Sequence, residues 1–384
     1  MIYIDRSRIQ SYDDCHRMRF LNYHWGGTGL DKKDPSLPLL EGQLIHTAIE
    51  SVAANRYTVD EAVTFAVADL DIALREIGEP EQHFLNEQHR LLDGLVRLWT
   101  KYRLPILLQE FEIVSIEDEF EWPLDKEVSM MVRCDMILRR RSDGTLFILE
   151  FKTVGMAGEE WAKQWENNSQ VLSYTGAVEW KYQQPCGGVI IDGLVKGRRV
   201  KEKGQNQFNG QTIQQSPICY CYHRDGVFSS KWTRGWDKVA TWEHMSTEKW
   251  LQMGIGEEGA RDILIPGLPI RIDATEIDSW KRQTIEKERG IKTDLISVEY
   301  DPSTDGGAID CYFPKNYNHC RRYYGYPCKF LELCTNRQVA NDPLGSGLYV
   351  ERTPHHKAEL DARQSLEKKT GSTKETSEAA DAIL

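Results

Sequence analysis

Apolar residues recur at intervals of three and four over 42–55 and again over 84–103, a spacing that gathers them on one helical face. That pattern predicts a helical N-terminal region reaching to about Leu107. Beyond it the period shortens, and strands are predicted over 111–121, 129–140, 145–152 and 187–195. A helix over about 161–182 separates the last two, which implies a sheet with a crossover helix. The segment GRRVKEKGQNQFNGQ, from Gly197 to Gln211, reads as a polar loop. A strand around Ile218 to His223, a helix from about Ser229 to Met253 and a mostly helical stretch over 258–288 follow. From about Pro354 the chain turns to Lys, Glu, Ser, Thr and Ala, the composition of a disordered or loosely helical tail. No internal repeat is visible. The expected organisation is a helical region over 1–110, an α/β (α+β) core over 111–200, an extension over 201–305, a cysteine-bearing segment over 306–350 and a tail over 351–384.

The run MVRCDMILRRRSDGTLFILEFK at 131–152 predicts a β-hairpin turning at Asp143-Gly144. A two-residue turn there pairs Asp135 with Lys152 and Ile137 with Glu150, and the period of two puts Asp135, Glu150 and Lys152 on one face. Two carboxylates and an amine then sit beside Leu146, Phe147, Ile148 and Leu149. Charges in such surroundings cost several kcal/mol unless they are paired or hold a cation. A divalent cation would relieve the repulsion between the carboxylates, polarise a phosphate and activate water, with the lysine neutralising developing charge. The competing reading is a surface salt bridge across a hairpin, since Glu-x-Lys recurs at Glu179-Trp180-Lys181 and Glu367-Lys368-Lys369. Neither of those follows an apolar strand. On the residues alone both readings stay open.

A chain of 384 residues can bury one large core or two ordinary ones. The net charge of -11 argues against an all-over polyanion-binding surface without excluding a local basic channel. No apolar run approaches the ~20 residues of a membrane span, and MIYIDRSRIQSYDDC lacks the apolar core of a signal peptide. An intracellular, cytoplasmic protein is expected. Nine cysteines in a reducing compartment are then thiols or metal ligands rather than disulfides. Cys320, Cys328 and Cys334 lie close together in NHCRRYYGYPCKFLELC, and Cys15 in SYDDCHRMRF is the candidate fourth member. Four thiolates suit a [4Fe-4S] cluster or a structural zinc, and buried thiols packed among tyrosines are the alternative. Cys311 could replace one of the set. Cys219 and Cys221, alternating on a strand, read as core, and Cys134 and Cys186 as structural.

Together these pieces resemble the PD-(D/E)XK nuclease superfamily, in particular its RecB-like branch with an iron-sulfur cluster. That branch includes CRISPR adaptation nucleases, AddB-type nuclease domains and phage-encoded relatives. SYDDC followed by Arg17 and Arg19 resembles the first cluster cysteine. EGQLIHTAIE matches, at Gly42 and His46, the helix that carries a histidine ligand. Asp135 with Glu150-Phe151-Lys152 is the signature, Gln170 and Tyr174 match the Q-x-x-x-Y helix, and the cysteine triplet comes last. The pieces are scattered over 11–334, and 197–305 has no counterpart. The chain departs from the branch in having Arg133-Cys134 where the signature's proline usually stands, and in a wide gap between Cys320 and Cys328.

The resemblance implies a restriction-endonuclease-like core, a mixed β-sheet flanked by helices, with the terminal segments stapled by the cluster through Cys15, Cys320, Cys328 and Cys334. It implies hydrolysis of DNA phosphodiesters with Mg²⁺ or Mn²⁺, Asp135, Glu150, His46 and the Phe151 carbonyl holding the metal and Lys152 the attacking water. Gln170 and Tyr174 would face DNA or orient the site. The expected substrate is single-stranded DNA or frayed ends, attacked as an exonuclease in recombination, repair or phage DNA processing. A helicase or recombination partner and a bacterial or phage-infected cell fit that role, and no membrane does. Arg198, Arg199, Lys201 and Lys203 could contact phosphates, and Trp232 and Trp236 could stack on bases, although the residues themselves favour a solvated loop and ordinary packing. The rival class is a non-catalytic nucleic-acid-binding or scaffold subunit that retains the fold.

Overall fold

The computed structural model describes residues 1–34, 36–78, 82–154, 159–166, 168–196, 207–208, 211–212, 264–265, 267–300, 307–321, 327–354, 356 and 360. The chain forms two compact units, one of Met1–Asp34, Phe120–Val132 and Asp278–Leu384, the other of Pro35–Glu119 and Arg133–Ile277. The expected strand at 218–223, the helix at 229–253, most of the loop expected at 197–211 with its basic residues, and Trp232 and Trp236 lie outside the described residues; within that loop Gln207–Phe208 pairs antiparallel with Gln211–Thr212. Most of the tail also lies outside the described residues.

In chain order the elements that matter here are β1 (Ile2–Ile4), α1 (Arg6–Asp14), α2 (His16–Tyr23), β2 (Leu30–Lys32), α3 (Leu37–Ala53), α4 (Val59–Ile77), α5 (Gln82–Tyr102), α6 (Leu104–Glu110), β3 (Phe111–Pro123), β4 (Val128–Arg140), β5 (Leu146–Val154), α7 (Glu159–Lys163), α8 (Ser169–Tyr182) and β6 (Cys186–Val195). The two apolar periodicities correspond to α3 and α5. Along α3, Ile45, Ala48, Ile49 and Val52 are buried, and they meet Leu91, Leu92, Leu95 and Trp99 of α5 in one core. A capping box starts α4: Thr58 Oγ1 accepts from the Glu61 N–H at 3.3 Å and Glu61 Oε2 accepts from the Thr58 N–H at 2.8 Å.

The second unit is an α/β structure with a mixed sheet flanked by helices. β3 pairs with β4, β4 runs antiparallel to β5, and β5 runs parallel to β6. A parallel pair needs a crossover, which α7 and α8 supply. Met136 and Leu138 of β4 and Phe147, Leu149 and Phe151 of β5 face the core built by α3 to α6. Ile137, Ile148 and Glu150 alternate to the opposite face, where Gln170 of α8 meets Glu150.

Three expectations need correction. The hairpin loop is 141–144, with the Arg140 N–H donating to Thr145 O at 2.8 Å and Gly144 at a left-handed φ of 76°. Ile137 therefore pairs with Ile148, and Met136 with Leu149, two residues out of the expected register. Asp135 does not stand across from Lys152; continued one residue, the register sets it across from Glu150. A slip of two keeps every side chain on its face, so the three charges still share one. Second, the crossover helix is broken into α7 and α8 because Asn168 caps a new helix, its Oδ1 accepting from the Gln170 N–H at 2.9 Å. Third, the described part of 258–288, expected to be mostly helical, is helical only from Ala274: a strand, Leu264–Ile265, pairs antiparallel with Gly193 and Leu194 before it. Pro266, Gly267 and Pro269 interrupt the pattern between them.

In the first unit the two chain ends share a core of Met18, Phe20, Leu21, Leu30, Phe313, Phe330 and Tyr349. β1 runs parallel to the start of β4, and β2 pairs antiparallel with the strand Tyr349–Glu351. Arg19 and Glu288, each 1% exposed in its side chain, form an ion pair at 2.8 Å. Among the described residues no helix is long and apolar enough to cross a membrane.

Asp192 ties α5 to β6. Its carboxylate is fully buried and accepts from Arg103 Nε at 2.8 Å, Arg103 Nη2 at 3.1 Å, Trp99 Nε1 at 3.2 Å and the Gly267 N–H at 3.0 Å. Asp192→Ala strands the Arg103 charge and should lower the unfolding free energy in denaturant titration by about 3–5 kcal/mol. A loss under about 1 kcal/mol would contradict that role.

Candidate metal centre

His46 and Glu50 lie one turn apart on α3 and project together. Gly42, a turn earlier, allows the close approach of this helix to β5, because a Cβ there would stand 2.9 Å from Thr153 Oγ1. His46 Nδ1 comes to 3.6 Å from Asp135 Oδ2, and its ring packs edge-on against Phe151 with centroids 5.6 Å apart. One ligand atom from each of His46, Glu50 and Asp135 lies within 4.8 Å of the others. Among the described residues this is the group of three with that geometry.

The electrostatics follow from burial. Asp135 is held below the usual carboxylate range: burial pushes it up, but His46, Lys152 and a 2.7 Å hydrogen bond from the Phe151 N–H outweigh that. Glu50 moves the other way, pushed up to about 9 by burial first, then by Asp135 and Glu117. Glu150 is also raised, by burial and by Asp135 across the strand gap. Glu150 Oε1 accepts from Lys152 Nζ at 2.5 Å and from Gln170 Nε2 at 2.6 Å. Its Oε2, like Glu50 Oε1, is buried without a protein partner. Buried carboxylate oxygens are rarely left so, and the set of one imidazole and three carboxylates suits a hard divalent cation.

The expected residues are largely brought together. Asp135, Glu150 and Lys152 share a face, and His46 reaches Asp135. Glu150 is not within the tight group of three, and the Phe151 contact seen here is made by its N–H rather than its carbonyl. Gln170, 2% exposed, bonds Glu150, and the Tyr174 hydroxyl donates to Arg133 O at 2.9 Å, so both orient the site from α8. Lys152 Nζ also lies 5.7 Å from the centre of the Trp165 ring. The residue that sequence reasoning missed is Glu50. Its signal was a carboxylate four positions after His46 on an otherwise apolar helical face.

The cysteines form a separate locality in the other unit. Cys15, Cys320, Cys328 and Cys334 line one pocket with Arg17, Lys315 and His319. The Cys328 N–H donates to Cys320 O at 2.9 Å, and Cys15 Sγ accepts from the Asn316 N–H at 3.3 Å. Burial pushes the Cys334 thiol up to about 11. Among the described residues no three cysteine sulfurs meet within 4.8 Å. Cys311 is exposed and outside the pocket lining, while Cys134 is buried and Cys186 half-buried. Compared with protein-family models and with curated proteins, the chain matches none.

A raised Glu50 has a pH signature in metal-free protein. Folding favours its neutral form, so its contribution is full below the ordinary value of 4.5 and is lost as pH rises toward about 9. Denaturant titrations in chelator between about pH 5 and about pH 9 should show stability falling with pH, with a shallower fall in Glu50→Gln. An unchanged slope in the variant would contradict the assignment.

Proposed function

We propose that this chain is a divalent-metal-dependent deoxyribonuclease of the RecB-like PD-(D/E)XK type, acting as an exonuclease on single-stranded or frayed DNA ends. The observation that carries the reading is the convergence of His46, Glu50 and Asp135 beside Glu150 and Lys152, with buried carboxylate oxygens left unpartnered. His46, Asp135 and Glu50 would hold the cation, with Glu150 alongside. A bound Mg²⁺ or Mn²⁺ supplies positive charge for a phosphate oxygen and makes water a better nucleophile at neutral pH.

The protein's own groups do the rest. Lys152, steered by Glu150 and flanked by Trp165, presents an ammonium to the attacking water and to charge developing on phosphorus. Gln170 fixes the Glu150 carboxylate, and Tyr174 fixes β4 next to Asp135. Phe151 and Trp99 close the apolar side, their rings edge-on at 5.1 Å. A dry wall on that side strengthens every charge interaction in the site.

The four-cysteine pocket is proposed as a [4Fe-4S] site that staples the chain ends within their unit. Structural zinc is the alternative occupant of the same four thiols. The pocket's part is structural, because hydrolysis needs no electron transfer. The setting proposed is cytoplasmic DNA recombination, repair or phage DNA processing.

End-labelled single-stranded DNA incubated with Mn²⁺ should be degraded by wild type and about 10²–10³-fold more slowly by Lys152→Ala. Equal rates would sink the mechanism. No degradation by either, with both folded, would favour the non-catalytic nucleic-acid-binding role.

A further inference from the structure

Trp161 of α7 lies on the sheet face that bears Lys152, yet no step of the hydrolysis uses it. In the parallel pairing of β5 with β6, Asp192 stands beside Phe151 and Gly193 beside Lys152. Paired residues point to the same face, so Asp192 joins Phe151 on the α5 side, where it meets Trp99, and Gly193 leaves the sheet bare on the Lys152 side. The Trp161 ring occupies that bare place. A Cβ on Gly193 would stand 2.6 Å from its Cη2 and 3.0 Å from its Cζ3, so the glycine seats the indole directly on the backbone.

Its neighbours extend the aromatic surface toward the lysine. The Trp165 ring stands edge-on to Trp161 with centroids 6.1 Å apart, and Lys152 Nζ lies 5.7 Å from the Trp165 ring centre. Trp161 is half-buried, so part of its surface is open; Trp165 is 7% exposed, and its Nε1–H is buried without a protein partner. Buried donors are rarely left so, and a bound strand brings phosphate and sugar oxygens that accept.

We propose that Trp161 is a stacking platform for an unpaired base of the strand whose phosphate lies at Lys152. The inference rests on reading the Lys152 face as the site of DNA cleavage. Every base offers a π-face, so the contact is indifferent to sequence. It is not indifferent to pairing, because within a duplex both faces of a base are covered by its stacked neighbours. The preference for single strands and frayed ends then originates at Trp161 rather than at the metal centre.

Fluorescence anisotropy of the full chain with end-labelled oligothymidylate, with Ca²⁺ in place of Mn²⁺, tests this. Trp161→Leu keeps an apolar cover on Gly193 but has no π-face; it should bind about 5- to 150-fold more weakly than wild type, and Trp161→Phe within about threefold of it. An abasic strand of the same length separates stacking from folding: wild type should favour the thymidylate strand, and Trp161→Leu should narrow that ratio by the factor it loses in affinity. If wild type degrades DNA in Mn²⁺ while Trp161→Leu binds thymidylate as tightly and keeps the same ratio, the base contact is overturned and the nuclease reading stands. Binding that follows Trp161 with no degradation in Mn²⁺ would do the reverse. Wild type without affinity for either strand would overturn both.

Discussion

The site is governed by the repulsion of carboxylates that the fold forces together away from water. Two ionised carboxylates whose oxygens come within 4.8 Å oppose each other by about 3 kcal/mol or more at an effective dielectric near 20. The hairpin also brings Glu150 onto the face that bears Asp135. Asp135 is held low, against the effect of burial, by His46, Lys152 and the Phe151 N–H, while Glu50 and Glu150 are pushed up by burial first and then by Asp135. Neutral carboxyl groups still leave oxygens unpartnered. His46, Glu50 and Asp135 could hold a divalent cation, which would give the Glu50 oxygen the partner it lacks among protein atoms.

The surroundings hold those charges against their tendency to separate. Gly42 lets α3 lie close to β5, and the apolar run from Ile45 to Val52 buries that helix against α5. Asp192, with Trp99 and Arg103, anchors α5 to β6 beside the strand that bears Glu150 and Lys152. From the other face α8 contributes Gln170 and Tyr174. Site geometry is thus set by helices and strands rather than by loops, as groups held to fractions of an ångström require.

Much of this was legible in the chain. The two helical periodicities, the four core strands and the shared face of Asp135, Glu150 and Lys152 follow from period alone, because burial on one face leaves side-chain alternation no freedom. The hairpin register was not, since Asp143-Gly144 fits both a two-residue turn and the longer loop, and only packing beyond the turn separates them. Glu50 was readable as a partner of His46 at helical spacing, but nothing local marks a glutamate as buried. The pocket shared by Cys15 and the C-terminal cysteines depends on the chain ends folding into one core, which Phe20, Phe313 and Phe330 accomplish over nearly the whole length of the sequence.

The central claim is that His46, Glu50 and Asp135 hold a divalent cation. Anomalous diffraction from crystals of the full chain soaked in Mn²⁺ tests it most directly. The account predicts a manganese peak bonded to all three side chains, with Glu50 ionised and turned onto the ion. Crystals with these residues ordered and no peak among them, or with manganese bound only elsewhere, would contradict it.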